Sequence, residues 1–150
     1  MDPRSGRLLL RALKLDSFIN QRRESAAYWT EKLSDYEDEL ILPIEPEHAK
    51  HVYFGYPITC EIGAGFTRKE LVDHLEMELI ETRPIMAGNM AEQPGMRHID
   101  HRTVGELPNS NSRMIMRQSF FFGNHTRIGP EEREYIADSI NNFLKMASNE

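Results

Sequence analysis

Phe66-Thr67-Arg68-Lys69-Glu70-Leu71-Val72-Asp73-His74-Leu75-Glu76-Met77-Glu78-Leu79-Ile80-Glu81-Thr82-Arg83-Pro84-Ile85-Met86 holds two kinds of local order in succession. Thr67 stands three residues before Glu70, the spacing of a capping box, and Phe66 is placed to close a hydrophobic staple. Leu71, Leu75 and Leu79 then recur every four residues with Val72 beside them. That spacing predicts an amphipathic helix of about 13 residues. Ile80 to Met86 follows as a short strand candidate. A helix passing straight into a strand sets the terms for the rest of the chain.

Upstream, His51 to Ile62 reads as a strand, rich in Val52, Tyr53, Phe54, Ile58 and Thr59, with Gly55 and Pro57 marking a bulge or an edge. Ser34 to Lys50 is acidic and carries Pro43 and Pro46, so it reads as an extended connection around Leu40-Ile41-Leu42. Ser5 to Leu33 reads as helix. Leu8, Ala12, Leu15, Phe18, Arg22, Ala26, Trp29 and Leu33 share one stripe. Such a segment is either one long helix linking two domains or two helices broken near Asp16-Ser17.

Downstream, Ala87 to Asn111 is a long loop punctuated by glycine, proline and asparagine, with a short helical turn expected near Thr103 to Leu107. Loops of that length in compact domains are usually functional or disordered. Arg113 to Phe122 alternates and reads as a strand. Gly129, Pro130, Glu131 and Glu132 open a final helix whose stripe is Ile136, Ile140, Phe143, Leu144 and Ala147. The order defines an α+β two-layer domain, a small sheet with helices on one side. The boundaries read as residues 1–34 for a long interdomain-type helix and 35–150 for the α+β small domain.

The 150 residues suit a single domain, and the formal net charge of −6 argues against nucleic acid as a partner. Arg22-Arg23, the adjacent basic pair, reads as a solvated helix face. The run Leu8-Leu9-Leu10 is broken by Arg11 and Lys14, so it is too short for a signal core or a membrane span. Cys60 is alone, which favours a cytoplasmic setting and a small buried apolar role.

No glycine-rich phosphate loop, paired-cysteine metal motif or serine elbow occurs. His98-Ile99-Asp100-His101 has histidines three apart, but Arg97 and Arg102 flank it and no third ligand is marked, so a polar loop is preferred to a metal site. Arg83 sits in a strand-like segment and needs a partner if buried. Strand alternation sends Glu81 to the same side. His125 ends a Phe-rich strand, where a histidine is an acid, a base, a hydrogen bonder or simply a turn residue.

The string Glu81-Thr82-Arg83-Pro84-Ile85-Met86-Ala87-Gly88-Asn89, then Gln93-Pro94, resembles the C-terminal region of the DegT/DnrJ/StrS family of sugar aminotransferases and dehydratases. Val104-Gly105-Glu106-Leu107-Pro108-Asn109-Ser110 resembles a second family string. Phe122-Gly123 followed by Glu132 and Ile136 fits the family's last strand and helix. Leu13, Leu15-Asp16, Phe18, Arg22-Arg23 and Ala27 are similar to its interdomain helix, so the resemblance runs from about Asp2 to Phe143. Met86-Ala87-Gly88-Asn89 replaces the aromatic-proline-leucine-histidine string of ordinary members and resembles the branch of hexulose 3-dehydratases and lipopolysaccharide-biosynthesis proteins. His125 departs from that branch's pattern and leaves transamination and dehydration both open.

The resemblance implies pyridoxal or pyridoxamine phosphate as the family's cofactor, an electron sink for a nucleotide-linked keto-sugar. It implies a homodimer with the site at the subunit interface. It makes Arg83, Asn89 and Gln93 substrate-side candidates, since an anionic, hydroxyl-rich ligand wants such groups, and His125 joins them from its strand-end position rather than from the resemblance. The family's large domain supplies the cofactor's anchoring residue and phosphate cup. Lys14, Lys32, Lys50, Lys69 and Lys145 lie in no such motif, so this chain is expected to lack that domain and to hold no cofactor or catalytic residue alone. The competing expectation is a stand-alone interaction domain that presents an apolar patch around Leu8, Leu9, Leu10 and Trp29.

Overall fold

A computed structural model describes residues 13–86, 88–104 and 111–148. Helix α1 spans Leu15–Lys32, with Lys14 at its N-cap. Strands β1 (Leu40–Ile41) and β2 (Gly55–Cys60) follow, then helix α2 (Arg68–Met77) and strand β3 (Thr82–Pro84). Helix α3 (Asn111–Gln118) runs directly into strand β4 (Ser119–Gly123), and helix α4 (Pro130–Ala147) closes the described chain. The four strands form one antiparallel sheet in the order β1-β2-β4-β3. This is an α+β domain.

Alternation decides which side of the sheet is core. Tyr56, Ile58 and Cys60 of β2 and Phe120 and Phe122 of β4 are buried, and they meet Ala26 and Trp29 of α1, Leu71 and Leu75 of α2, and Ile136, Ile140 and Leu144 of α4. Trp29 is the centre of this layer, with ring centroids 5.4 Å from Tyr56 and 4.9 Å from Phe122, both edge-on. Tyr56 hydrogen bonds to Thr30 at 2.8 Å, and burial pushes its phenol up to about 12.

The capping box of α2 forms as its sequence requires. Glu70 N–H donates to Thr67 Oγ1, and Thr67 N–H donates to Glu70 Oε2 at 2.7 Å. Helix α4 begins with Pro130 in its first turn, and Glu132 accepts from Gly129 N–H. Helix α2 ends in a Schellman motif: Ile80 N–H donates to Leu75 C=O and Leu79 N–H to Glu76 C=O. The residue forced into the left-handed region is Leu79, at φ +59, where glycine is usual.

Five expectations change. Helix α2 has 10 residues, not about 13, so Leu79 lies beyond it and is exposed instead of sharing the stripe of Leu71 and Leu75. Arg113 to Gln118 is helix, not strand. Met, Arg and Gln are good helix formers, and six residues are too few for a two-residue period to outweigh that preference. The long loop carries two 3₁₀ turns, Met90–Glu92 and Pro94–His98, whereas residues 101–104 carry no helix and residues 87 and 105–110 lie outside the described residues. The stripe of α1 is buried only from Ser25 onward, and Leu15 and Phe18 are exposed. Arg22-Arg23 is not a plain solvated face. Arg23 grips Glu45 through two hydrogen bonds of 2.6 and 2.9 Å and also bonds the carbonyl of His51. That partner is distant in sequence, so no local pattern announces it.

The outer strand β3 has little free donor capacity. Thr82 N–H donates to Glu76 Oε1 at 2.7 Å, and Pro84 has no N–H.

Candidate functional site

A hollow of about 1340 Å³ lies around β3 and the ends of β4 and α4. Arg83, Gln93 and His125 line it, together with Arg22, Phe54, Phe121 and Tyr135. Each reaches it by a definable route. Arg83 lies opposite Phe121 in the β3–β4 register, so the two share a side of the sheet, and Phe120 and Phe122 point to the core. Arg83 is 67% exposed and pairs at 2.6 Å with Glu81, itself 73% exposed. The partner named by strand alternation is therefore the one used, on the surface and not in the core.

Asn89 is 5% exposed and does not line the hollow. Its Oδ1 accepts from Ala91 N–H and its Nδ2 donates to Glu92, so it caps the 3₁₀ turn that delivers Gln93. Arg113 of α3 meets Glu92 at 2.9 Å and ties the same turn down. Gly88 is needed at the start of this excursion. Its φ is +50, and a side chain there would come within 2.6 Å of Met116.

His125 is exposed and accepts from Arg127 N–H through Nδ1, a turn contact that leaves the ring at the rim of the hollow. Beside it Asn124 is buried and donates to the carbonyl of Arg22 at 2.9 Å, joining β4 to α1. Tyr135 donates to the carbonyl and carboxylate of Glu78, and this hydrogen bond raises its phenol above the usual range. Phe54, Phe121, Arg22, Asn124 and Tyr135 did not stand out in the sequence as site residues. Phe54 read as an ordinary strand former, although the Gly55 and Pro57 breaks beside it signalled an edge.

The residues present do not suit a pyridoxal phosphate anchor. All five lysines are exposed, and none lines the hollow. Lys69 is paired with Asp73. Nor do the described residues contain a cluster of His, Cys, Asp or Glu able to hold a metal, and His98 and His101 are exposed. No helix among the described residues is long and apolar enough to cross a membrane.

An α+β domain of this topology is shared with solved structures of the PLP-dependent aminotransferase fold. The chain belongs to the DegT/DnrJ/EryC1/StrS aminotransferase family, which it matches over residues 6–141. It is 32% identical over 131 residues to the lipopolysaccharide biosynthesis protein RfbH of Salmonella typhimurium, covering 87% of this chain and 30% of that protein. It is 31% identical over 135 residues to the dTDP-4-dehydro-2,6-dideoxy-D-glucose 3-dehydratase of Saccharopolyspora spinosa, covering 90% of this chain and 29% of the relative. Among solved structures, the Escherichia coli GDP-4-keto-6-deoxy-D-mannose-3-dehydratase with bound hydrated PLP superposes with a TM-score of 0.77 at 26% identity, over 88% of this chain and 33% of that one. The chain thus spans roughly a third of the length of the relatives it matches.

Proposed function

We propose that this chain is the C-terminal small-domain part of a pyridoxal or pyridoxamine phosphate-dependent enzyme of deoxysugar or lipopolysaccharide biosynthesis, acting on a nucleotide-linked keto-sugar. Its part is to present substrate contacts and a dimer surface. The reaction class is a 3-dehydration or a transamination, and the cofactor is held by other polypeptide. A cytoplasmic location goes with this reading.

The observation that carries it is the convergence of Arg83, Gln93 and His125, well apart in sequence, on one hollow. The exposed Glu81–Arg83 pair is weak in water, so an anionic ligand displaces Glu81 at little cost. Gln93, whose Nε2 also faces Met116 Sδ at 4.0 Å, brings an amide to the hollow, and His125 a ring nitrogen. Asn89, the fourth candidate, serves the same site by holding the turn that carries Gln93.

The test is a titration of the full chain with GDP-mannose, followed by amide shifts. Saturable binding that disappears in Arg83→Ala is expected. No saturable binding overturns the reading. A parallel titration with pyridoxal phosphate should give no stoichiometric complex, and a stoichiometric one would remove the claim that the cofactor is held elsewhere.

A second reading, a stand-alone interaction domain, loses the expected patch, since Trp29 is buried and residues 8–10 lie outside the described residues, and draws instead on Leu79, Met86 and Phe54, exposed around the same hollow. A monodisperse oligomer on a sizing column with no nucleotide-sugar binding is its signature.

A further inference from the structure

We propose that His51 and His125 are a pair of acid-sensitive catches at one end of the sheet. Each holds a turn at the lip of the hollow while its ring is neutral and releases it on protonation. This is independent of the nucleotide-sugar reading, since it concerns the shape of the lips and not what lies between them.

The register puts the two turns side by side. Gly55, the first residue of β2, lies opposite Gly123, the last of β4. The segment entering β2 and the segment leaving β4 are therefore neighbours, and Phe54 of the first and His125 of the second both line the hollow. Consecutive residues of α1 pin them. Arg23 donates to the carbonyl of His51 at 2.7 Å, and Asn124 donates to the carbonyl of Arg22 at 2.9 Å.

The two turns carry the same device. Tyr53 N–H donates to His51 Nδ1 and Arg127 N–H donates to His125 Nδ1, each at 3.1 Å and each from two residues ahead. An imidazole nitrogen accepts only while it carries no proton. A protonated ring has N–H on both nitrogens, so the amide it held then faces a donor. Histidine is the side chain whose charge ordinarily changes between about pH 5 and about pH 8. Both contacts are exposed, so water takes over the freed amides and the unfolding midpoint hardly moves.

The two releases differ in size. Tyr53 sits in the left-handed region at φ +53, which a bulky residue keeps only where its surroundings fix it. Loss of the His51 acceptor lets Tyr53 relax and carries Phe54, 68% exposed, away from the Phe121 ring that now lies 6.2 Å from it. The turn at His125 keeps a second bond, from Ile128 N–H to the His125 carbonyl at 3.0 Å, so only its side-chain cap is lost. Around His51 stand Arg23 of α1, Glu45 of the connection and the Tyr53 ring, edge-on at 4.4 Å. Arg23 and Glu45 are paired with each other, so the new charge on the ring meets a nearly neutral couple. Sharing the hollow with His125 are Arg22 of α1, Glu81 and Arg83 at β3, and Glu132 and Tyr135 of α4, with Arg127 in its own turn.

The test is a titration of the full chain from about pH 8 to about pH 5, followed by amide and ring resonances. The Tyr53 and Arg127 amides should each shift with the midpoint of their own histidine ring, while core amides such as that of Trp29 stay fixed. Cross-relaxation between the Phe54 and Phe121 rings should weaken over the same range. Asparagine caps such a turn through a side-chain oxygen that does not titrate. His51→Asn should therefore abolish the Tyr53 response and leave that of Arg127, and His125→Asn should do the reverse. His51→Ala should loosen the Phe54–Phe121 contact already at about pH 8. Amides that stay still, that move with a midpoint other than that of their ring, or that still titrate in the asparagine variants overturn the catches. A parent-like ring contact in His51→Ala overturns the release of Tyr53.

Discussion

Trp29 donates its indole N–H to the carbonyl of Arg133, 3.1 Å away and 104 residues further along the chain. This bond fastens α1 to α4 across the core, where Trp29 is fully buried. Trp29→Phe keeps an aromatic ring but loses the donor and leaves a small void. It should cost about 1–3 kcal/mol of stability. Urea denaturation read by circular dichroism checks this.

Leu79 gives the opposite sign. Its side chain is 93% exposed, so little burial is at stake, while its φ of +59 is one that glycine adopts freely. Leu79→Gly should therefore stabilise the chain, by about 0.5–1 kcal/mol after the extra freedom of the unfolded state is counted. A denaturation midpoint equal to or below that of the parent would contradict the Schellman assignment.

Acid should weaken the fold through three carboxylates. Glu45 is held below the ordinary carboxylate value of 4.5 by its hydrogen bonds from Arg23, Glu70 by the Thr67 cap, and Glu76 by the Thr82 amide and hydroxyl. A depressed folded-state value means stability that is fully present above the unfolded value and is lost as pH falls through the folded one. Urea midpoints should hold steady above about pH 5 and drop progressively below about 4.5. Glu45→Gln should begin from a lower plateau and fall less steeply, since the group that titrates is gone.

Cys60 is buried in β2, and burial pushes its thiol up to about 12. A neutral, inaccessible thiol is a poor nucleophile. The native chain should resist a thiol-directed reagent at neutral pH, and labelling should follow the unfolding curve when urea is added. Fast stoichiometric labelling of the folded protein would contradict the packing of this strand.

Arg83→Ala separates binding from stability. Both members of the Glu81–Arg83 pair are well exposed. Its loss should shift folding free energy by no more than about 0.5 kcal/mol while abolishing nucleotide-sugar binding. A variant that unfolds would place Arg83 in the architecture instead.

The α+β architecture was legible because burial writes itself into periodicity. Leu71 and Leu75 at helical spacing, the strand formers Ile58, Thr59 and Cys60, and the Thr67–Glu70 cap are local signals that took the expected form, whereas Leu79, the third leucine of the same stripe, lies past the helix end and is exposed. The misreading at Met114 to Arg117 arose where the signal is short and the side chains are only half-buried, so neither period dominates. Arg83 and Gln93 were visible as a string resemblance, and His125 as a histidine at the end of a Phe-rich strand. Their meeting with Phe54 and Phe121 was not, because it depends on which residue of β4 stands opposite which residue of β3. Asn89 shows the remaining gap. A sequence names its polar side chain, but only the backbone path reveals that both ends are spent on a turn.

The outer margin of β3 offers an approaching strand carbonyls but hardly any hydrogens, since Glu76 occupies the Thr82 amide and Pro84 has none to give. Intermolecular sheet growth needs both kinds of group in alternation, so this border does not template fibrils. Whatever joins the domain at that end meets carbonyls and side chains but not the alternating donors and acceptors of a full strand border.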